Sequence, residues 1–461
     1  CWDDEWAHVA GDVVMAEYYF WKAFLYLRKE DYVKGGMQLR TTWKQVEANH
    51  HRVVTVLVEQ GHLHRDANGQ LSSKPASVGA DGVGGPAENG GSLNISHELE
   101  GPEVLGLPKE VQAVLGVHQF GLGIFMLTFE QIPPSLRWLS KILGFSTSLG
   151  STGAAEMRRS GEMLSPRRDW ARVVVAILDG FIHENFAVLD SLGEELLAKY
   201  ETSAIVRMLV GYYYRIAGKL PESDAMFYDA LGYSRDIPQW EITIEYERGY
   251  NAWLQLDWQK ATEYVTNFMN RSEMKAYKAH AAYMLACCAH MMGEPKARID
   301  KYLQEVPKFA REKQVWDRYG LRKSKEYLKK GIHRFDEFYI PATNLVEAKQ
   351  FDRANEYLDK ARTVLVDAKQ YKSRSTRDEH KALYLMLRGL VLLELHDLEK
   401  AQSTLEELFK MKGSVKQETY TIPFGYITMA ELCLELSPPR IAEAKTYRDK
   451  GKAVGDFDFD N

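Results

Sequence analysis

The chain has 461 residues, 45% apolar and 27% charged, enough to bury one long core or two to three ordinary ones. Lys plus Arg (59) against Asp plus Glu (64) leave a net charge of −5, which excludes the basic excess that grips DNA or RNA by counterion release, so nucleic acid is not an expected partner. The four cysteines (Cys1, Cys287, Cys288, Cys433) make no C-x-x-C, so neither a disulfide framework nor a zinc knuckle is indicated and a reducing, intracellular setting fits.

The chain opens on Cys1 without an initiator Met and continues with Asp3, Asp4 and Glu5, unlike a secretory signal, and it reads as a fragment. From Trp6 to Gly61 the spacing predicts two helices, with Ala16, Phe20, Ala23 and Leu27 on the first, Gly35-Gly36 as the break, and Val46, Val53, Val54, Leu57 and Val58 on the second. Residues 65–102 are rich in Gly, Ser, Asn and Pro and nearly free of large apolar side chains, which predicts an insertion without a fixed fold. A Gly-containing helix follows at 111–130, then the Pro133-Pro134 break and a short helix around 136–143. No apolar run reaches the eighteen residues of a membrane span. The nearest, Leu115 to Phe129, is interrupted by His118, Gln119, Gly121 and Gly123 and reads as a buried core helix, the alternative being a segment lying on a membrane surface.

The second half carries a recurring pattern. Gly211, Gly249, Ala286, Ala342 and Gly389 occupy equivalent places, each followed twelve residues later by Ser223, Ala261, Arg298, Ala354 and Ala401. Small residues at that spacing let two antiparallel helices approach, as in a tetratricopeptide repeat (TPR). The steps of 38, 37, 56 and 47 residues are uneven, which predicts inserted turns, and a sixth, degenerate hairpin is expected from Tyr426 to Val454 through Ala430, Leu432, Leu434, Ala444 and Tyr447. The expected fold class is all-α: an irregular TPR-like helical-hairpin solenoid over 191–461, joined to an N-terminal helical domain over 1–190 that carries the insertion.

Catalytic signatures fail at named residues. His183-Glu184 begins a zincin motif but Ala187 stands where the second His must be, and Gly121-Leu122-Gly123 begins a dinucleotide loop but Met126 replaces the third Gly. There is no Gly-Lys-Ser/Thr and no G-x-S-x-G. The His50-His51, His62, His64 cluster reads as an exposed helix end rather than a metal site, and Cys287-Cys288 as packing in a hairpin interface. The expectation is a non-catalytic protein with no cofactor or metal.

In this repeat type the first helices line a groove, which would place Met208, Tyr212, Tyr246, Tyr250, Trp253, Tyr283, Cys287, Tyr339, Thr343, Met386 and Leu390 on its wall. Peptide-tail readers of this class carry Lys and Asn there to hold a carboxylate. This chain has neither at those places, so the groove is expected to be aromatic and apolar, suited to a protein partner. The alternative is ordinary core packed under the N-terminal half.

Four stretches resemble one family. They are Ala16-Glu17-Tyr18 through Trp21-Lys22-Ala23 to Lys34-Gly35-Gly36-Met37 and Arg40; Phe120-Gly121-Leu122-Gly123-Ile124-Phe125 with Ile132-Pro133-Pro134 and Leu143-Gly144-Phe145-Ser146; Arg311-Glu312-Lys313 with Arg322-Lys323-Ser324; and Tyr420-Thr421-Ile422-Pro423 with the terminal Asp456-Phe457-Asp458-Phe459-Asp460-Asn461. In this order they are similar to the tetratricopeptide repeat protein 39 group and its fungal inclusion-body-clearance relatives. The chain departs from the family at Thr147-Ser148-Leu149-Gly150 and at Phe125-Met126. The resemblance implies an all-helical, non-enzymatic adaptor in the cytoplasm or nucleus, with relatives linked to lipid and sterol regulation, to mitochondrial outer-membrane or lipid-droplet surfaces, and to protein quality control. Its implied partners are proteins, with a lipid or membrane surface as the alternative.

Overall fold

A computed structural model of the chain describes residues 4–28, 32–62, 64–65, 71–72, 105–130, 150–183, 186–235, 237–273, 275, 277–311, 314–455 and 457–459. The helix expected at 136–143, the Pro-Pro break, Glu184 and all of the insertion except residues 65, 71 and 72 lie outside them. The chain divides into two compact units, Cys1–Leu196 and Leu197–Asn461. Helices dominate both. The strands among the described residues are two short ones, His64–Arg65 and Leu71–Ser72, paired antiparallel at the start of the insertion.

The first unit contains α1 (Asp4–Arg28), α2 (Tyr32–Glu59), α3 (Lys109–Glu130), α4 (Gly150–Glu162), α5 (Arg168–His183) and most of α6 (Phe186–Lys199). Gly35-Gly36 does not break the chain as expected but lies inside α2, because packing along the length of α1 overrides the ~1 kcal/mol that an interior glycine costs. Trp6, Val9 and Val13 of α1 meet Val53 and Leu57 of α2 and Val111 and Leu115 of α3 in one core. Small residues set the crossing of α3 and α4. A Cβ on Gly123 would come within 3.0 Å of the Gly153 carbonyl, and seven residues along each helix the Ser160 hydroxyl donates to the Gly116 carbonyl at 2.7 Å.

The sequence reading found no run of spanning length, and that is corrected. Lys109–Thr128 is long and apolar enough to cross a membrane, but 67% of the apolar window is buried, and it forms the core of this unit. The reading of the histidine cluster is corrected too: His50 is buried and its ring stacks on His118 at 5.7 Å. Burial, and then the neighbouring His50, lower the pKa of His118 to about 3.

The second unit is a succession of hairpins. They are α7–α8 (Ala204–Ile216, Leu220–Tyr233), α9–α10 (Pro238–Leu254, Trp258–Arg271), α11–α12 (Lys278–Met291, Lys296–Phe309), α14–α15 (Asp336–Glu347, Phe351–Val366), α16–α17 (Arg374–Glu394, Leu398–Lys410) and α18–α19 (Thr421–Glu435, Ile441–Lys452). The repeat logic is visible atom by atom. A Cβ on Gly211, Gly249 or Gly389 would come within 3.1, 2.8 or 2.6 Å of Phe227, Val265 or Leu405, the residue sixteen positions on in each case. Ser223 donates to the Gly211 carbonyl at 2.7 Å across the first hairpin.

In the first five hairpins the second turn residue takes a left-handed backbone, with φ of 78° at Gly218, 64° at Leu256, 72° at Gly293, 54° at Lys349 and 57° at His396. The next amide then donates back to the carbonyl five residues earlier, as in Lys219 to Tyr214 at 2.7 Å and Asp397 to Leu392 at 2.9 Å, which satisfies the helix end.

Two register expectations are corrected. The α11–α12 turn, 292–295, has four residues where the other four of these turns have three, so Arg298 is exposed and Ile299 is the buried partner of the first helix. In the sixth hairpin Leu434 is exposed while Leu432 is buried. The 56-residue step holds more than inserted turns: it contains a whole extra helix, α13 (Val315–Lys330).

His396 is exposed and non-Gly in a left-handed turn, so His396→Gly is expected to raise unfolding stability by about 0.5–1 kcal/mol in denaturant titration, a gain that His396→Ala lacks. The pKa of His118 is lower in the fold than the ordinary 6.5, so it contributes stability that is complete above pH 6.5 and lost as pH falls toward 3. His118→Leu is expected to flatten the acid side of the stability profile over that window, measured by melts at stepped pH.

Candidate functional site

The inner faces of the first helices of several hairpins converge in the second unit. Tyr250 and Trp253 of α9, Tyr283 of α11, Tyr339, Thr343 and Glu347 of α14, Met386 of α16 and Phe424 of α18 line one cavity of about 290 Å³. α13 contributes Tyr319 and Tyr327, and Phe459 from the last described residues forms another wall. Tyr319 lies 6.1 Å from the Tyr283 ring, 6.1 Å from Tyr420 and 5.5 Å from Phe459, so edge-on and tilted rings run from α11 to α18.

A second cavity of about 320 Å³ shares Tyr250 and is lined by Tyr212, Tyr246, Arg215, Glu247 and Asp317 among others. Met208 lines neither. It packs with Phe227 and Ile244.

Charged and amide groups stand among the aromatic and apolar side chains of these walls. Arg215 is buried, with its Nε donating to Asn251 at 2.6 Å and its Nη1 to Glu247 at 2.6 Å. Its guanidinium sits 5.1 Å from the Tyr250 ring, 5.2 Å from Phe227 and 5.5 Å from Tyr212. Tyr212 donates to the other Glu247 oxygen at 2.9 Å, and Asn251 donates to Ser223 at 2.8 Å, which ties this network back to the hairpin contact at Gly211.

Across the groove Tyr250 donates to Glu347 at 2.7 Å and Asn344 donates to the Trp253 carbonyl at 2.8 Å, joining α9 to α14. Glu347 reaches solvent yet is ringed by protein. That desolvation holds its carboxyl above the ordinary range, while the Tyr250 hydroxyl and the field of Arg215 pull it down. His280 joins the Tyr246 hydroxyl through Nδ1 at 2.9 Å, and burial lowers its pKa to about 4, so it is neutral at physiological pH. Burial also pushes the thiols of Cys287 and Cys288 up, the latter to about 12, so they pack as small apolar groups.

Sequence reasoning took only the residues three before and one after each small position, plus Trp253. It passed over Arg215 and Glu347, one helical turn beyond Tyr212 and Thr343, and over Asn251 and Asn344, the residues next to Tyr250 and Thr343. The i+4 row through Gly211 would have reached Arg215.

It also passed over the charges beside the cavity. Glu418 is 2% exposed and accepts from Lys323 Nζ at 3.0 Å and from Arg322 Nη2 at 2.7 Å. Arg322 also reaches Asp458 at 2.8 Å, so the third and fourth of the family-like stretches meet in space. Glu379 accepts from the backbone amides of 416, 417 and 418 at 2.7, 3.1 and 2.9 Å and fixes the loop that presents Glu418. Burial pushes the Glu418 carboxyl up, but Lys323 and Arg322 outweigh this and hold it at about 2.

No group of three or more His, Cys, Asp or Glu residues placed to hold a metal occurs among the described residues. A succession of packed hairpins with an aromatic and charged inner face is the structure of a helical repeat scaffold. Residues 168–395 match the family model described as Iml2/Tetratricopeptide repeat protein 39, which supports that family for this part of the chain. Among solved structures it is similar to one titled "Crystal Structure of the Apo Form of RapI", at 13% identity and a TM-score of 0.29, covering 62% of this chain and 96% of that one, a likeness too distant to carry an argument.

Glu418→Gln takes from buried Lys323 its nearer carboxylate, leaving Glu326 at 3.6 Å, and is expected to cost about 3 kcal/mol by denaturant melting, most of it recovered in Glu418→Gln/Lys323→Met. Because the folded carboxyl lies below its ordinary 4.5, its contribution is complete above pH 4.5 and is lost as pH falls toward 2, and the double variant lacks that slope.

Proposed function

We propose that this protein is a non-catalytic adaptor that captures a partner polypeptide on the inner face of its helical repeats. One observation carries the reading: several first helices and the inserted α13 converge on one cavity that combines aromatic rings with fixed polar groups. Such a surface offers the large, rigid contact groups that dominate protein recognition. Its placing in lipid and sterol regulation or in protein quality control, in the cytoplasm and on mitochondrial or lipid-droplet surfaces, extends this proposal from the family resemblance. The apolar helix Lys109–Thr128 lends the lipid-surface reading no support, since most of its apolar window faces core.

Thr343 and Phe424 are exposed residues on the cavity wall, so they can be changed without opening the core. In quantitative proximity labelling of the full chain, Thr343→Arg and Phe424→Asp are expected to remove a defined set of partners while leaving the melting midpoint within about 2 °C. An unchanged partner set would exclude this face as the docking surface.

A further inference from the structure

The cavity of about 290 Å³ stands at the small end of ligand pockets, with room for one long side chain. Half of its lining residues are aromatic, and its charged lining residues are Asp336 and Glu347, both acidic, with no Lys or Arg among them. Asp336 is buried and accepts from the backbone amide of His333, and its field is shared with Lys323, which belongs to Glu418. Glu347 accepts from the Tyr250 hydroxyl and forms no ion pair among the described residues. A desolvated carboxylate bonded to a neutral hydroxyl is stabilised by a cation brought beside it.

The adjoining cavity shows what that cation looks like. There the chain's own Arg215 lies among Tyr212, Phe227 and Tyr250, bonded to a carboxylate (Glu247) and an amide (Asn251). The first cavity repeats the same set of groups: the Tyr250 ring again, with Trp253, a carboxylate (Glu347) and an amide (Asn344). It supplies no guanidinium of its own. Planar guanidinium stacks on rings and pairs with carboxylates better than ammonium does.

We propose that the cavity bounded by Tyr250, Trp253, Asp336, Tyr339, Asn344 and Glu347 receives an arginine side chain of the partner polypeptide. The proposal rests on the adaptor reading and names the chemistry of its partner.

The test titrates the full chain, by calorimetry or ligand-observed NMR, with acetyl-Ala-Arg-Ala-amide, with the same peptide carrying neutral citrulline in place of arginine, and with phosphatidylcholine vesicles. The arginine peptide is expected to bind about tenfold more tightly than the citrulline peptide. Glu347→Gln is expected to abolish that preference at an unchanged melting midpoint, since the glutamine amide oxygen can still accept the Tyr250 hydroxyl while carrying no charge. Equal affinity for the two peptides, or no binding of either, overturns the proposal, as does binding of vesicles but not of the arginine peptide. If Thr343→Arg removes cellular partners while arginine and citrulline bind alike, the adaptor reading stands and the arginine pocket falls. If the partner set survives Thr343→Arg, the adaptor reading itself has lost its surface.

Discussion

Two cations and two carboxylates taken largely out of water are the point on which the second unit hangs. Lys323 and Arg322 belong to α13, a helix without a hairpin partner, Glu418 to the loop before α18, and Asp458 to the last described residues. Burying such charges is unfavourable unless each is matched, and here each is: Glu418 takes both cations, Arg322 takes both carboxylates, Lys323 also stands 3.6 Å from Glu326, and Glu379 anchors the loop backbone. The consequence is positional. α13 is drawn against the segments that lead into and out of the last hairpin, Tyr319 is set among Tyr283, Tyr420 and Phe459, and a cavity with a definite aromatic wall results. Apolar contacts alone would hold α13 in place with much less preference for one angle, because they are not directional.

The hairpins depend on a different constraint, the distance between two helix axes. Where a glycine stands on the first helix, at 211, 249 and 389, a Phe, Val or Leu of the second fills the space that a larger side chain would take. The first unit uses the same device between α3 and α4, with Gly116 and Gly123 against Ser160 and Gly153. The glycine pair that resembles the start of a nucleotide loop therefore sits inside a helix, and one of the two serves helix packing.

How much of this could be read in advance follows from the range of each interaction. Small residues twelve apart on antiparallel helices leave a local trace, so the hairpins and most of the tyrosines on the cavity walls were legible. Arg298 misled because the twelve-residue rule assumes a three-residue turn, and the turn there has four. His50 misled because a neighbouring exposed His51 gave the pair a polar appearance, while its partner His118 lies on another helix. The Glu418 cluster had no local signature at all, since its members stand 95 and 96 residues apart. Arg322-Lys323 was visible as part of a family-like stretch, but a motif of two basic residues does not say that one of them is buried.

The two bonds that join α9 to α14 bear on how the repeats come apart. An array in which each hairpin touches only its neighbours behaves as a one-dimensional chain: disorder enters at an end and travels inward, one repeat at a time. Tyr250 to Glu347 and Asn344 to the Trp253 carbonyl are clasps across 97 and 91 residues, skipping the hairpin α11–α12 and the inserted helix between them. The enclosed segments cannot loosen singly while the clasps hold, so α9 to α14 form one cooperative block, and the bonds of Arg322 to Glu418 and Asp458, across 96 and 136 residues, tie both ends of α18–α19 to α13 inside it.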